Sequence, residues 1–473
     1  MQKSRPISKD GLFRSEKLDS YPALRLATVA GTVLLLAACQ AFERRPLDPV
    51  THNERWKAQG ASDDKVHAFA KRLTRTTSGA SPFNPVDGVS LNEGKIIALV
   101  YNPDLRIARL KAGVAKATAD HAGLWNDPKF SLNVLKFTEG VPDPWVVGSA
   151  LSLTIPLSGR LRAEKSRAEA AMHAVLDRVA EAEWKVTIDL QKSWVSWSAQ
   201  RTELAQTRKI VEALNTIVKS TTLLAEQGEI PRTEAALFTI EQTSRRLEIT
   251  RLEGEVEAQE QEIRSLLGLS PNAPIRLLPD FSLPDWQPSE DRLAKNNPTL
   301  NRLRSEYEVS ERTLFREIRK QYPDLTIGPQ AESDEGQTRL GFIGAIPLPI
   351  LNANKGGIAT ARAEREVAQA EFETEYERKV GQLAVLLARL SAIKAQRVTM
   401  ENTLIPLVDR QTSDARNLVD LGEGGSLVLL ESIVRAHDAK LQVIDLQRQR
   451  ARVESEIQFL LGPTNHKSNF KKD

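Results

Sequence analysis

Cysteine is nearly absent from this chain, since its 473 residues include only Cys39. A single thiol excludes a disulfide framework and a cysteine-based zinc site. Aromatic residues make up only 5% of the chain, and 65 basic against 62 acidic residues leave a formal net charge of +3. No long block of one charge sign occurs, so the composition does not favour nucleic acid as a partner. The abundant Ala, Glu, Arg, Gln and Leu instead predict long, exposed helices.

Sequence motifs of common catalytic sites are also absent. There is no nucleophile elbow, no Walker loop and no H-E-x-x-H motif. The 6 His residues are scattered, with no two at helical i, i+3 or i, i+4 spacing, and Met occurs 3 times. We therefore expect no enzyme, no cofactor and no resident metal site, and we interpret His437 as a surface or packed histidine.

The lone cysteine follows a short apolar run, Leu26–Ala38, that comes after a basic segment. The run is too short to cross a bilayer, which takes about 20 residues, and its flanks are those of a secretory signal. "Leu36-Ala37-Ala38-Cys39" resembles a bacterial lipobox, whose cysteine becomes the N-terminus and carries several acyl chains. We predict a lipoprotein signal peptide over residues 1–38 and lipidation of Cys39. A free cysteine after an ordinary signal peptide is the alternative.

Short motifs recur in the same order at a spacing of about 195 residues. Three such pairs are Asn102-Pro103 with Asn297-Pro298, Ile155-Pro156-Leu157 with Ile346-Pro347-Leu348, and Leu266-Leu267-Gly268 with Leu460-Leu461-Gly462. The second Ile-Pro-Leu motif is followed by a longer segment, "PILNANKGG". The pattern predicts a duplicated unit, with repeats over residues 86–268 and 291–462 and a linker over residues 269–290.

Each predicted repeat begins with a helix and continues with two strands. In the first repeat, Pro103 interrupts a helix over Leu91–Leu124 near its start. Alternating apolar and polar residues predict strands at Phe130–Val134 and Trp145–Ile155. One face of the second strand is expected to carry Trp145, Val147, Leu151, Leu153 and Ile155.

The second repeat has the same pattern in its strand region. Its expected strands are Asp324–Glu332 and Arg339–Ile346. The side chains of Leu340, Phe342 and Ile346 are expected to share one face.

A long helical hairpin completes each predicted repeat. The long helices are Gly159–Ala225 and Gly357–Leu421, each about 100 Å long at 1.5 Å per residue. The returning helices are Arg232–Leu267 and Leu427–Leu461, each ending before a Gly. Charges on every turn exclude a lipid environment, so we expect coiled-coil packing in water through Ala and Leu.

The predicted strands have about the length of strands that cross a bilayer at a tilt. Open sheet edges cannot face lipid, and about eight strands are the minimum for a barrel. Strands in a membrane would therefore require several chains to share one barrel. The alternative is a small aqueous sheet at the end of a coiled coil, and the predicted lipid anchor favours the membrane.

These residues resemble the TolC-like outer-membrane efflux channels. The resemblance covers about residues 85–463 and is carried by "LVYNPDLRIARLKAG", "PWVVGSALSLTIPLSGRLRAEKSRAEAA", "FIGAIPLPILNANKGGIATARAE" and both Leu-Leu-Gly endings. It implies a mainly α fold with a small membrane β-barrel, in which a homotrimer shares 12 strands and forms an α-helical barrel through the periplasm. It also implies a passive exit duct, with a periplasmic adaptor and an inner-membrane RND-type pump as partners. The segment "IPLPILNANKG" is most similar to the heavy-metal-cation branch.

By the same resemblance, the helix turns far from the membrane dock the adaptor and close the duct. The docking residues expected from it are Gly228, Glu229, Pro231, Gly422, Glu423, Gly424, Gly425 and Ser426. The acidic residues expected near the gate are Glu226, Asp414 and Asp420, although most charges on such helices simply face water. Any helical hairpin also needs Gly at its turn, so the alternative is that these Gly residues serve only to form the turn.

The remaining segments carry weaker signals. Residues 39–85 have linker composition with a short helix expected at Asp63–Leu73, and the tail 463–473 is expected to be disordered. Trp184, Trp194 and Trp197 are expected to pack between helices or to lie in an aromatic belt. We expect the protein in the outer membrane, lipid-anchored and extending into the periplasm. A non-conducting periplasmic coiled-coil lipoprotein, structural or adaptor-like, is the alternative to the channel.

Overall fold

A computed structural model of the chain describes residues 42–76, 83–136, 138, 145–281, 290–334, 337–421 and 425–463. Among them, the residues from Trp56 onward form one compact unit, and those before Trp56 belong to a second. Cys39 and the expected signal peptide lie outside the described residues, as does most of the expected tail.

Helices make up most of the described chain. In chain order they are α1 Pro49–Lys57, α2 Asp64–Thr76, α3 Leu91–Tyr101, α4 Pro103–Asp120, α5 Arg160–Gln227, α6 Arg232–Leu267, α7 Glu290–Asn296, α8 Pro298–Arg319, α9 Lys355–Thr399, α10 Ile405–Asp420 and α11 Ser426–Leu461. A π-helical turn, Met400–Leu404, joins α9 to α10. The mainly helical prediction is confirmed, and α1 is a helix that the sequence analysis did not predict.

Four strands form a single antiparallel sheet in the order β1-β2-β3-β4. They are β1 Lys129–Lys136, β2 Trp145–Ile155, β3 Leu325–Asp334 and β4 Gln337–Ala345. All four strands were predicted to within a few residues. The two hairpins join through β2 and β3, where Ile155 lies opposite Leu325 and Val147 opposite Ser333.

The duplication is visible in the order of the elements. Each half has two helices separated at an Asn-Pro pair, then two strands, then a long helix and a returning helix of 36 residues. The first long helix, α5, has 68 residues and is therefore about 100 Å long. It contacts α3, α4 and α6 of the first repeat and α8 and α11 of the second.

The repeated Asn residues explain why the Asn-Pro and Leu-Leu-Gly motifs occur together. The Asn102 Oδ1 accepts hydrogen bonds from the backbone N–H groups of Asp104 and Leu105, which caps α4. Its Nδ2 donates to the Leu266 carbonyl at 2.9 Å, at the end of α6. One side chain thus joins the start of one helix to the end of another, so the two shorter helices meet end to end.

The second repeat uses the same arrangement. Asn297 accepts from the backbone N–H of Leu300 at 3.0 Å and donates to the Leu460 carbonyl at 2.7 Å. We call these two Asn–helix-end junctions, at Asn102 and Asn297, the clasps.

A glycine is required at each clasp for two reasons. Gly268 and Gly462 have φ values of 76° and 70°, in the region that favours glycine. A Cβ on Gly268 would lie 2.2 Å from the Tyr101 carbonyl oxygen, and one on Gly462 would lie 2.0 Å from that of Asn296. The close approach of the two backbones therefore leaves no room for a side chain.

The largest core cluster surrounds the midpoint of α5. Trp194 and Trp197 are fully buried there and meet edge to face with ring centroids 6.0 Å apart. They pack with residues of α2, α3 and α6, so two of the three expected inter-helix tryptophans are confirmed in the core. The third, Trp184, donates its indole N–H to the Phe459 carbonyl at 3.2 Å and so also lies between helices.

A buried polar chain crosses between the repeats next to this core. The Lys95 Nζ donates to the Gln191 Oε1 at 2.7 Å, and the Gln191 Nε2 donates to the Ser455 Oγ at 2.8 Å. Burial lowers the pKa of Lys95 to about 8, although the nearby Asp280 carboxylate opposes the shift. The chain connects α3, α5 and α11, so the two repeats share one core region.

Two helix ends differ from the predictions. The predicted helix to Leu124 ends at Asp120, and Gly123 turns the chain with φ 73° toward β1. The predicted helix Gly357–Leu421 is divided by the π-helical turn, which ends two residues before Pro406. The short helix expected at Asp63–Leu73 is confirmed as α2.

Candidate membrane sheet and docking end

One face of the sheet is mainly apolar, with Lys136, Ser149, Ser333 and Thr338 as its polar members. Residues directly opposite each other in antiparallel strands point to the same side, so the pairing register assigns every side chain to a face. The apolar face carries Phe130, Leu132, Val134, Trp145, Val147, Leu151, Leu153, Ile155, Leu325, Ile327, Leu340 and Phe342. Several of these are widely exposed in the single chain, including Leu340 at 83% and Phe130 at 69%. The predicted face of β2 is confirmed, and so is that of β4 for Leu340 and Phe342, whereas Ile346 lies beyond the end of β4.

The opposite face of the sheet is mainly polar, although it also carries Leu135, Val146 and Ile343. It carries Ser131, Asn133, Ser152, Thr154, Thr326, Gln330, Glu332 and Arg339. The Thr154 and Thr326 hydroxyls lie 3.2 Å apart across β2 and β3, and Glu332 lies opposite Arg339. A sheet with one apolar and one polar face can separate hydrocarbon from water.

The sheet has two open edges within the described residues. β1 pairs only with β2, and β4 pairs only with β3. Unpaired backbone groups on such edges are costly in hydrocarbon, because no water is present to bind them. An arrangement that keeps this sheet in a membrane must therefore pair both edges with other strands.

The first helix turn follows α5 at the end of the helical hairpin that is far from the sheet. Gly228 has φ 78°, and the Glu229 N–H donates to the Leu224 carbonyl at 2.9 Å. Pro231 follows in an extended conformation and precedes α6. Gly228, Glu229 and Pro231 are all exposed, so this turn is accessible in the single chain.

The second turn is described only at its end. Gly422, Glu423 and Gly424 lie outside the described residues, whereas Gly425 and Ser426 are described. The Ser426 hydroxyl donates a hydrogen bond to the Glu234 carboxylate near the start of α6. The structure therefore brings the two predicted turns to the same place.

A small apolar cluster supports this end of the molecule. It contains Leu214 and Phe238 of the first hairpin and Ala415, Leu429 and Ile433 of the second. Sequence analysis did not single out Glu234 or Phe238. The available signal was Phe238 itself, the one aromatic residue of α6, which indicates a buried contact.

The acidic residues expected near the gate are only partly described. Glu226 and Asp414 are exposed on the single chain. The Asp420 side chain lies outside the described residues.

Within the described ranges, no group of three or more His, Cys, Asp or Glu residues could hold a metal ion. His437 is packed rather than exposed, with 3% of its surface accessible. Burial lowers its pKa to about 4, and the nearby Arg245 guanidinium adds to the shift.

A search of the described helices finds none that is both long enough and apolar enough to cross a membrane.

This chain is similar in sequence to known proteins. Residues 97–269 match the family model described as "Outer membrane efflux protein". The cobalt-zinc-cadmium resistance protein CzcC of Cupriavidus metallidurans is 23% identical over 322 residues, which cover 66% of this chain and 76% of CzcC.

Solved structures show the same fold. The outer membrane protein VceC of Vibrio cholerae matches with a TM-score of 0.68 and 16% identity, covering 79% of this chain and 96% of VceC. CusC, whose crystal structures address transmembrane channel formation, matches with a TM-score of 0.68 and 15% identity, covering 89% of this chain and 99% of CusC. At these identities the likeness is one of fold.

Proposed function

We propose that this chain is the outer-membrane channel component of a tripartite efflux system. It has the fold of solved outer-membrane channels, and residues 97–269 match the outer membrane efflux protein family, in agreement with the resemblance seen in the sequence. The observation that carries the proposal is the amphipathic four-stranded sheet with two open edges, joined to long polar helices. Such a sheet is suited to lipid only as part of a closed barrel.

A homotrimer closes the sheet in this proposal. Three chains with four strands each give 12 strands, within the range known for outer-membrane barrels. The apolar faces turn to lipid, and the polar faces line a water-filled lumen. Below the barrel, the helices of the three chains form the α-helical duct through the periplasm.

The domain bounds predicted from the sequence are consistent with this assembly. Residues 1–38 are the signal peptide, residues 39–85 hold the anchor at Cys39 and a linker, and the repeats at 86–268 and 291–462 form the channel. Several acyl chains on Cys39 would hold the protein in the outer membrane more stably than one chain could.

The partners are proposed to meet at the joined helix turns. A periplasmic adaptor docks on Gly228, Glu229 and Pro231 of the first turn and on residues 422–426 of the second. The link between Ser426 and Glu234 supports a single docking surface made by both turns. The adaptor connects the duct to an inner-membrane RND-type pump, which supplies the energy for transport.

The cargo is proposed to be metal cations or small toxic compounds. The name of the relative CzcC, a cobalt-zinc-cadmium resistance protein, supports metal cations. Among the described residues, no group of three or more His, Cys, Asp or Glu side chains could hold such ions. Selection of the cargo is then the task of the pump.

Planar bilayer recording tests the proposal directly. Purified chain should form chemically crosslinkable trimers that conduct ions. If Glu226, Asp414 and Asp420 line the gate, Asp414→Ala with Asp420→Ala should raise conductance or weaken cation preference. Glu431→Ala is the matched control, because Glu431 is an exposed acid on the same hairpin that pairs with Arg435.

Two outcomes would contradict parts of this account. A non-conducting monomer in the outer-membrane fraction would favour the coiled-coil structural or adaptor role instead. Unchanged recordings for the Asp variants would remove those residues from the gate and leave the channel standing.

A further inference from the structure

The connection between β4 and α9 is longer than its counterpart in the first repeat. Residues 346–354, which we call the β4–α9 loop, join Ala345 to Lys355, whereas residues 156–159 join β2 to α5. Ala345 lies opposite Thr326, next to the start of β3. The loop therefore leaves the sheet at the end from which the helices extend.

This loop exposes a run of apolar side chains. Leu348 is 73% exposed, Ile350 77% and Leu351 94%. Single exposed leucines are common on protein surfaces, but several in one short segment mark a contact surface. The shorter first-repeat connection exposes one comparable side chain, Leu157.

Polar contacts hold the loop in this conformation. The Asn354 Nδ2 donates to the Glu317 backbone carbonyl and to its carboxylate, both at 2.9 Å. Arg316 and Lys320 also bind the Glu317 carboxylate, at 2.7 Å each. This network ties the end of the loop to the end of α8.

The loop backbone is strained at the same point. Ala353 and Asn354 have φ values of 45° and 53°, a region that costs a non-glycine residue about 1 kcal/mol or more. A strained and anchored backbone that turns apolar side chains outward is typical of a functional surface.

The surroundings of the loop favour lipid over a protein as the partner. Ile346 continues the alternation of Leu340 and Phe342, so the loop extends the apolar face of β4. Lys355, at the end of the loop, is exposed and can reach lipid phosphates. A stable protein interface buries more than about 1,000 Å² in total, which so short a loop cannot supply alone.

We propose that the β4–α9 loop inserts Ile350 and Leu351 into the headgroup–acyl boundary of the leaflet on the periplasmic side. The second repeat thereby carries an interfacial membrane anchor that the first repeat lacks, and a trimer carries three. This inference rests on the proposed membrane position of the sheet.

Fluorescence quenching by brominated phospholipids tests the anchor. Leu351→Trp, and Ile350→Trp as a second variant, are made in the full chain and reconstituted in vesicles of phospholipid with bromine at a shallow or a deep acyl position. Subtracting the wild-type fluorescence leaves the signal of the added indole. Shallow bromines should quench this signal more than deep bromines do, and its emission should shift to the blue. Leu223→Trp, near the first helix turn, is the control and should not be quenched by either lipid.

The native Trp145 separates this inference from the proposed function. Trp145 lies on the apolar sheet face, and the difference between wild type and Trp145→Phe reports its quenching. If lipid quenches Trp145 but neither loop indole, the anchor is wrong and the membrane sheet stands. If lipid quenches none of them, the membrane sheet fails as well. If the loop indoles are shielded from both brominated lipid and aqueous iodide, a neighbouring chain covers the loop and the anchor is again wrong.

Discussion

The two repeats are alike at the middle of the molecule and differ at both ends of their long helices. The clasps at Asn102 and Asn297 make the same kinds of contacts. Near the sheet, however, the second repeat has the longer loop, and toward the turns its long helix contains a π-helical turn where α5 is unbroken. The proline ring of Pro406 explains this turn, since it lacks an N–H and clashes with the carbonyl four residues before it.

The difference indicates where the duplicated unit is constrained. Two backbones meet within contact distance at the clasps, so each copy needs the same Asn and Gly. No such close contact between the backbones constrains the ends of the long helices. They can differ because the partners proposed there, lipid at one end and an adaptor at the other, contact each repeat differently.

The largest effect is expected at the clasp glycines. Gly268→Ala and Gly462→Ala would each place a Cβ within 2.2 Å of a carbonyl oxygen, so the helix ends must separate. We expect a loss of several kcal/mol of folding stability from either variant, measured by thermal unfolding in detergent.

Gly228→Ala is the matched control for the clasp variants. Gly228 also has a positive φ of 78°, but no atom lies within 4 Å of an added Cβ. Its cost should be only about 1 kcal/mol. Equal losses at Gly228 and Gly462 would show that backbone conformation, rather than the close approach, sets the requirement.

A charge on the apolar sheet face should have the next largest effect. In the proposed assembly, Leu340→Arg would place a guanidinium toward lipid, at a cost of about 2–4 kcal/mol per chain near the bilayer midplane. The yield of chemically crosslinked trimer in outer-membrane fractions should fall. Gln330→Arg, on the polar face of the same sheet, is the control and should assemble normally. Similar trimer yields from both variants would contradict the assignment of the faces.

His437 should make the second hairpin sensitive to acid. Both of its ring nitrogens lack hydrogen-bond partners within the described structure, and burial lowers its pKa from 6.5 to about 4. The unfolded chain therefore binds a proton more readily than the folded chain between these values. Stability is fully present above pH 6.5 and falls as the pH drops toward 4, by at most about 3 kcal/mol per chain.

The acid effect can be isolated with one substitution. His437→Gln removes the titrating group, so its melting temperature should fall less than that of wild type between pH 6.5 and pH 4. Gln242 of the first hairpin lies one repeat spacing before His437. It is buried and donates a hydrogen bond to Asn215 at 2.7 Å, so the equivalent position of the first repeat accommodates an amide. Parallel melting curves for both proteins would assign the acid sensitivity to other groups.

The smallest effect is expected from Pro406→Ala. The substitution restores a backbone N–H, so the π-helical turn can become regular α-helix. Stability should change by less than about 1 kcal/mol, but amide hydrogen exchange across residues 400–406 should slow. Unchanged exchange would mean that packing, and not Pro406, holds the π-helical turn.

Much of this fold could be predicted because its elements are long and strongly patterned. Alternation along Trp145–Ile155 gave both the strand and its apolar face, and Gly228 and Gly268 marked helix ends. The duplicated motifs gave the number of hairpins. Local pattern was sufficient there, because each feature depends on residues near in sequence.

Features that depend on distant residues could not be predicted. The pairing of β2 with β3 joins the two repeats, and Pro329 lies within β3, where a proline ordinarily argues against a central strand. Gly328 is required by the close approach of β3 to β2, since a Cβ there would lie 1.8 Å from the Leu151 carbonyl oxygen. The bond from Ser426 to Glu234 likewise requires the two turns to be neighbours, which neither turn reveals alone.

Disulfide crosslinking between sheet edges tests the central claim most directly. Cysteines are placed in pairs, one at Ser131 or Asn133 of β1 and one at Arg339 or Gly341 of β4, and the membranes are oxidised. The account predicts that at least one pair joins β1 of one chain to β4 of the next and gives covalent dimers and trimers but no larger species. Crosslinks that stay within single chains, or an open ladder beyond three chains, would contradict a barrel closed by three copies.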